Sequence, residues 1–146
     1  MLKGAMVRRL IIVVSLLALT GRSLATVDEA IARATEAISP YVKQGYLVRD
    51  DQWGGDLGVK QEQAITHTLF KGNDYWFCTG TDIDSAKISI HVYDSRGRLV
   101  ENDSWQHGRL AGAHLVAPAT GTYYVIVEIL SSPVERTHWA MVYGYK

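Results

Sequence analysis

The chain has 146 residues, equal numbers of basic and acidic side chains at 15 each, and a single cysteine, Cys78. This length is enough for one domain with its own hydrophobic core. The balanced charge, without a basic run, argues against nucleic acid as a partner, and the lone cysteine excludes an internal disulfide bond.

Residues 1–25 have the order of a secretory signal peptide. Basic side chains precede an apolar run of ten residues, 10–19, and Ser23 and Ala25 supply the small residues of a cleavage site. A retained membrane anchor is the alternative, although the run is shorter than the ~20 residues that cross a bilayer. We predict cleavage near Ala25, export to the periplasm or outside the cell, and no membrane attachment afterwards. Cleavage removes four of the 15 basic residues and no acid, which leaves 11 against 15 and a formal charge of −4.

Residues 26–45 are predicted to form an N-terminal helical segment. Thr26 and Glu29 have the spacing of a capping box, and Pro40 is a position at which a helix ends or bends. The apolar side chains recur at the three- and four-residue spacing of one helix face, namely Val27, Ala30, Ile31, Ala34 and Ile38. The segment is therefore an amphipathic helix with one face to bury.

Residues 46–146 are predicted to form a mainly β domain, an antiparallel β-sandwich of jelly-roll-like form. Short runs rich in Ile, Val, Tyr, Thr and Trp alternate with turn signals such as KGND, DSRG and PATG. The stretch WGGDLG, residues 53–58, is interpreted as a loop. The predicted strands are 47–49, 63–70, 75–80, 86–93, 98–102, 111–116, 122–130 and 137–145.

The last predicted strand, 137–145, is apolar on both of its faces and needs cover on both sides. The amphipathic helix carries the only spare apolar surface in the chain. We therefore expect the helix to pack over the outer face of this strand.

Three pieces of the chain resemble the bacterial pre-peptidase C-terminal domain, a secreted β-sandwich module. They are LFKGNDYWF (69–77), ISIHVYDSRGRLV (88–100) and APATGTYYVIV (117–127). The resemblance implies a non-catalytic domain used for targeting, binding or solubility. An acidic residue that the family often carries in the strand before its Tyr-Asp turn corresponds here to Lys87 or Ser89, so the resemblance implies no metal site.

Two acidic stretches are candidates for a cation site. In the first, Asp94 begins the sequence DSRG, which suits a turn, and Arg96 and Arg98 would repel a cation. We interpret this stretch as the turn of a hairpin. In the second, Asp82 and Asp84 could aim two carboxylates together, but D-x-D lacks the other ligands of a calcium loop, and a solvated loop is the favoured interpretation. The sequence therefore predicts no metal site and no cofactor, with Asp82 and Asp84 as the remaining metal candidates.

No catalytic motif accompanies the histidines, since the mature chain has neither G-x-S-x-G nor H-E-x-x-H. His67 shares a predicted strand face with apolar residues, so we expect it to point inward as a hydrogen-bonded core histidine. Cys78 lies among aromatic residues and is expected to be buried and inert. The alternative is a small secreted hydrolase or a metal-dependent protein with a site near His67 or the pair Asp82 and Asp84.

The four tryptophans fall into two groups. Trp76 and Trp139 lie in predicted strands, whereas Trp53 and Trp105 lie among Gly, Asp, Asn and Gln in stretches that resemble loops. Aromatic side chains on the loops of a rigid sandwich are a platform for sugar rings or protein partners, and packing against the core is the alternative. We therefore predict a non-catalytic secreted or periplasmic binding or adaptor module, not an enzyme, that contacts a glycan or an exported protein through Trp53 and Trp105.

Overall fold

A computed structural model describes residues 27–146 of the chain. The predicted signal peptide and its cleavage site lie outside the described residues. Within them the chain forms one helix, α1 (27–42), followed by nine strands. No helix in this part of the chain is both long and apolar enough to cross a membrane. The strands are β1 (Leu47–Val48), β2 (Trp53–Leu57), β3 (Glu62–Leu69), β4 (Asp74–Thr81), β5 (Lys87–Asp94), β6 (Asp103–His107), β7 (Leu110–Val116), β8 (Gly121–Ser131) and β9 (Thr137–Tyr145).

The strands form two antiparallel sheets that pack face to face, which confirms the predicted β-sandwich with one helix. The larger sheet has the order β1–β9–β4–β7–β6, and β2 pairs with β9 beside β1. The smaller sheet has the order β3–β8–β5. Because β1 and β2 both pair with β9, the last strand of the chain holds the first two strands in the sheet.

The main hydrophobic core lies between the two sheets. Strand β8 shows the alternation that builds it: four buried side chains, Tyr123, Val125, Val127 and Ile129, are separated by residues that remain half-buried. Phe77 of β4 and Met141 of β9 oppose them from the larger sheet, and both are fully enclosed. Burial of a side chain of this size stabilises the fold by about 1.5–3 kcal/mol.

Helix α1 packs on the outer face of the larger sheet, which confirms the expected cover over β9. Its small apolar side chains contact four residues of β4 and β9, namely Trp76, Cys78, Ala140 and Val142. The approach is closest at Gly80, where a Cβ would lie 2.5 Å from Arg33 Cβ and 2.6 Å from the Ala34 backbone N. Only glycine leaves room for the helix at this point. Cys78 is enclosed at the same contact and burial raises the pKa of its thiol, as predicted for an inert cysteine.

The loop predicted at residues 53–58 is wrong, because β2 pairs with β9 along its whole length. The sequence GG gives no strand signal, since glycine has neither β-branching nor an apolar side chain. Glycine is nevertheless required here: a Cβ at Gly54 would lie 2.9 Å from the backbone O of Trp139. A close approach of two backbones therefore explains the glycine at position 54.

The strand predicted at residues 98–102 is also wrong. After the turn that follows β5, the chain makes a single bridge, Tyr93↔Leu99, and then crosses to the larger sheet, where β6 pairs with β7. The Val92 backbone N–H donates to the Glu101 carboxylate at 2.8 Å, and not to a backbone carbonyl of a neighbouring strand. A side-chain hydrogen bond thus ends the hairpin.

Candidate functional site

The outer edges of β2 and β3 face each other along one side of the sandwich. Strand β2 is held by β9 and β3 by β8, and within residues 27–146 neither has a strand partner on its other side. A first groove of about 410 Å³ lies between them, lined by residues 53–56, 63–66 and Trp139. A second groove of about 350 Å³ is lined by Arg49, Thr68, Phe70, Asn73, Tyr75, Tyr143 and Tyr145. We call the two grooves and their lining residues the open flank.

A cluster of rings joins the two grooves. Trp53 of the first groove lies edge-on to His67 with ring centroids 4.7 Å apart, and Tyr143 of the second groove lies edge-on to the same imidazole at 5.1 Å. Trp53 and Tyr143 also contact each other, at 5.7 Å between centroids. Phe77 closes the inner side, 5.3 Å from His67. The pairing of β2 and β4 with β9 fixes the positions of three of these rings.

His67 is a buried polar group that contacts two rings of the open flank, Trp53 and Tyr143. The residue is 7% exposed, and its Nε2 has no hydrogen-bond partner within residues 27–146. Burial lowers the pKa of the imidazole to about 4, against the opposing effect of the Asp51 charge. The predicted inward direction is confirmed, whereas the predicted hydrogen bonding is wrong for Nε2. A buried nitrogen without a hydrogen-bond partner lowers the free energy of unfolding by about 1–3 kcal/mol. The environment of His67 Nε2 therefore opposes folding.

The second groove has an aromatic floor and a cation at its rim. Phe70 is 56% exposed, and its backbone N–H donates to the Tyr75 hydroxyl at 3.0 Å. The Arg49 guanidinium lies 6.0 Å from the centre of the Tyr145 ring, within the range of a cation–π contact. Burial raises the pKa of the Tyr143 phenol, so its hydroxyl keeps its proton and can donate. The groove therefore offers ring faces, hydroxyl groups and a guanidinium to a ligand.

The sequence identifies only part of the open flank. Trp53, and His67 in contact with it, are recognisable from their sequence surroundings, whereas Arg49 and Phe70 are ordinary residues beside strands. Tyr143 belongs to an apolar strand, and the sequence does not distinguish its buried aromatic side chains from those that line a groove. The i, i+2 spacing of the tyrosines in β9 is the one signal that places them on a common face.

Trp105 lies away from the open flank, and the loop predicted around it is wrong. It sits in β6, at the opposite edge of the larger sheet from β2. Its Nε1 donates to the Tyr41 hydroxyl at 2.9 Å, and its ring covers Gly112, where a Cβ would lie 2.5 Å from Nε1. These contacts hold the ring between helix α1 and the sheet. Trp53 and Trp105 therefore cannot share one contact surface, and a binding role for either stays a prediction.

The stretch that follows β5 is a turn, as predicted. One carboxylate oxygen of Asp94 accepts the backbone N–H groups of Arg96 and Arg98, each at 2.9 Å, and the other accepts Arg98 Nε–H at 2.9 Å. These bonds, first of all the one from the Arg98 backbone, lower the pKa of Asp94. Gly97 has a φ of 77°, which suits glycine at the end of the turn. The carboxylate is thus committed to shaping the turn.

The second acidic pair, Asp82 and Asp84, has separate partners. The Asp82 side chain is almost fully buried, 3.5 Å from His138 Nδ1, whereas the Asp84 side chain is exposed and pairs with Arg109. No group of three or more His, Cys, Asp or Glu side chains in the described part of the chain is arranged to hold a metal ion. The two carboxylates therefore make separate contacts, and the absence of a cation site there stays a prediction.

A hydrogen-bonded cluster on the outer face of the larger sheet was not apparent from the sequence. Asp74 Oδ1 lies 2.6 Å from His114 Nε2 and accepts the Tyr46 hydroxyl at 2.7 Å. Burial, together with the bond to Asp74, raises the pKa of Tyr46 to about 12. His114 stacks on Trp76 at 4.9 Å between centroids, and Tyr41 stacks on the same indole at 3.8 Å. The cluster ties the segment after α1 to β4 and β7, which is a structural role.

Comparison with known proteins supports the fold. No protein-family model matches the chain, and no curated protein sequence matches it. The fold is similar to that of PliG from Aeromonas hydrophila, a periplasmic lysozyme inhibitor of g-type lysozyme, with a TM-score of 0.50, 15% identity, and coverage of 70% of this chain and 90% of that one. It is also similar to the Yersinia pseudotuberculosis-derived mitogen, with a TM-score of 0.51, 10% identity, and coverage of 67% and 86%. At these identities the likeness concerns the sandwich itself.

Proposed function

We propose that this chain is a non-catalytic, exported binding or adaptor module that contacts a protein or glycan partner through the open flank. The observation that carries the proposal is a set of rings that remain exposed or half-buried there, although the core lies directly beneath: Trp53, Phe70, Tyr143 and Tyr145. Large apolar side chains left at the surface of a rigid sandwich are typical of contact surfaces.

We assign the module to the pre-peptidase C-terminal type. The β-sandwich fold supports this assignment, as do the DSRG turn at the end of β5 and the PATG sequence just before β8. The predicted signal peptide supports export to the periplasm or outside the cell. A periplasmic inhibitor with a similar sandwich shows that such a scaffold can present a protein-binding surface.

The alternative of a hydrolase or metal-dependent protein finds no support at its candidate residues. Within residues 27–146, no hydroxyl or carboxylate is hydrogen-bonded to His67, which a nucleophile–base pair would require. Asp82 and Asp84 are directed to different partners. The chemistry near these residues therefore favours binding over catalysis.

The test compares two exposed apolar side chains, one on the open flank and one away from it. Phe70 is 56% exposed and Leu99 is 58% exposed, so replacing either by alanine should change stability by no more than about 0.5 kcal/mol. Wild type, Phe70→Ala and Leu99→Ala are screened against a glycan array and against exported proteins of the same organism. We expect Phe70→Ala to weaken a wild-type interaction that Leu99→Ala leaves unchanged. Equal binding by all three proteins would contradict the assignment of the flank as the contact surface.

A further inference from the structure

We infer that the open flank is a saccharide site, in which neutral sugar rings stack on its aromatic side chains and sugar hydroxyl groups bond to the polar side chains around them. The inference rests on the proposed binding function and narrows its partner to one chemical class. Nothing in the comparisons assigns a ligand to this flank.

The side chains of the flank match the two surfaces of a sugar ring, an apolar face and a polar rim. Trp53 and Tyr143 supply ring faces, and the grooves beside them, about 410 and 350 Å³, have the size of small-molecule sites. Arg49 offers donors at the rim of the second groove. Thr68 and Asn73 line the same groove, and their side chains offer acceptors. Donors and acceptors therefore occur together beside the rings.

His67 supplies an independent observation. Its Nε2 is enclosed and without a partner in the described part of the chain, and the imidazole lies 4.7 Å from the Trp53 ring between centroids. A hydroxyl group both donates and accepts, so a sugar can satisfy this nitrogen in either tautomer. Trp53 must shift to admit the hydroxyl, and it lies in an edge strand that no other strand covers on its outer side within residues 27–146.

The charges of the flank favour a neutral saccharide over a charged ligand or an added peptide strand. Asp51 opposes the charge of Arg49, and Asp56 in the first groove is paired with Arg136 at 2.7 Å, so the acidic side chains of the flank are balanced by guanidinium groups. A peptide strand added to the free edge of β2 or β3 would bond through backbone groups. Such pairing would use neither the aromatic rings nor the buried imidazole, whereas a sugar uses both.

The experiment titrates the isotope-labelled exported protein with chitohexaose and cellohexaose, and with hexagalacturonate as an acidic comparison, while NMR follows the Trp53 indole N–H and the His67 imidazole. We expect both signals to shift with a neutral hexasaccharide and less with the acidic one. Trp53→Ala should weaken binding at least about tenfold, as loss of a central aromatic anchor does. His67→Phe should weaken it about three- to tenfold, the effect of one lost hydrogen bond. Leu99→Ala should bind as wild type.

Arg49→Ala is added because Trp53→Ala also removes packing and can unfold the protein. Arg49 is exposed, so this variant keeps the fold and should bind the neutral sugar more weakly. Shifts at Trp53 with unchanged affinity in Arg49→Ala and His67→Phe would overturn the assignment of the polar groups. If no sugar shifts either signal but an exported protein binds in a Phe70-dependent manner, the saccharide inference fails and the proposed function stands. If no ligand of either class depends on the flank, both fail.

Discussion

Replacement of His67 by phenylalanine should make the protein less sensitive to acid. The imidazole is enclosed by Trp53, Phe77 and Tyr143, and its Nε2 has no partner within residues 27–146. Phenylalanine keeps a flat ring among these three rings and removes the nitrogens whose protonation is unfavourable there. Its slightly larger ring adds strain of at most about 1–3 kcal/mol, the range for an overpacked core, so the fold should persist.

The magnitude follows from the difference in the pKa of His67 between the unfolded and folded states. The ordinary value is 6.5, and burial lowers the folded value to about 4. As the pH falls below 6.5 the unfolded chain takes up a proton that the folded protein refuses until the pH approaches 4, so stability is lost across this window. The full difference corresponds to about 3 kcal/mol, a large share of the ~5–15 kcal/mol by which a domain is usually stable.

The assay is urea unfolding of wild type and His67→Phe at about pH 7.5 and about pH 4.5, a pair of values that spans most of the window. Wild type should lose about 2–3 kcal/mol more than the variant between the two pH values. His107→Gln is the control, because His107 is exposed on β6 and its replacement should leave the wild-type acid sensitivity. Equal losses in wild type and His67→Phe would show that the imidazole is solvated or hydrogen-bonded in solution, which would refute the reasoning.

Three further outcomes can be checked directly. Gly80→Ala should lower the free energy of unfolding by about 1–3 kcal/mol, because its methyl group would lie 2.6 Å from the Ala34 backbone N. Gly121→Ala is its control, since nothing lies within 4 Å of that position. Melting temperatures in millimolar calcium and in chelator should agree, because the acidic candidates have separate partners; a rise with calcium would show a site. N-terminal sequencing of the exported protein should begin at Thr26, and an intact N-terminus in the membrane fraction would contradict cleavage.

The parts of the fold that follow from local periodicity could be predicted. Helix α1 repeats its apolar residues every three or four positions, and β8 alternates buried and half-buried residues, so the buried face of each element can be read from its own sequence. The exception is Val27, which the spacing predicts on the buried face of α1 and which is 48% exposed. The cover over β9 could also be predicted, because a strand that is apolar on both faces needs a second apolar partner and the helix was the one available. These inferences require no knowledge of which strands pair.

The parts that depend on pairing between distant segments could not be predicted. Residues 53–57 form strand β2 because they pair with β9, which lies far along the chain. The sequence of β2 by itself lacks a strand signal. The hairpin after β5 ends where the Glu101 carboxylate accepts the Val92 N–H. Strand propensities of single residues contain no information on such a side-chain hydrogen bond. The open flank likewise exists only because β2 and β3 fall at facing edges of different sheets.

Trp53 and Trp105 show how pairing decides the role of a side chain. Both lie among glycine and polar residues, and both are half-buried. Trp105 pairs with Gly112 in β7, and the absence of a side chain there lets the indole lie flat and reach the Tyr41 hydroxyl on the helix. Trp53 pairs with Met141 on the inner face, beside a sheet edge that no strand covers within the described part of the chain. Helix α1 therefore holds the Trp105 indole at one edge of the sheet, whereas the Trp53 indole lines a groove at the other edge. For this reason the proposed binding module and the saccharide site both include Trp53 and not Trp105.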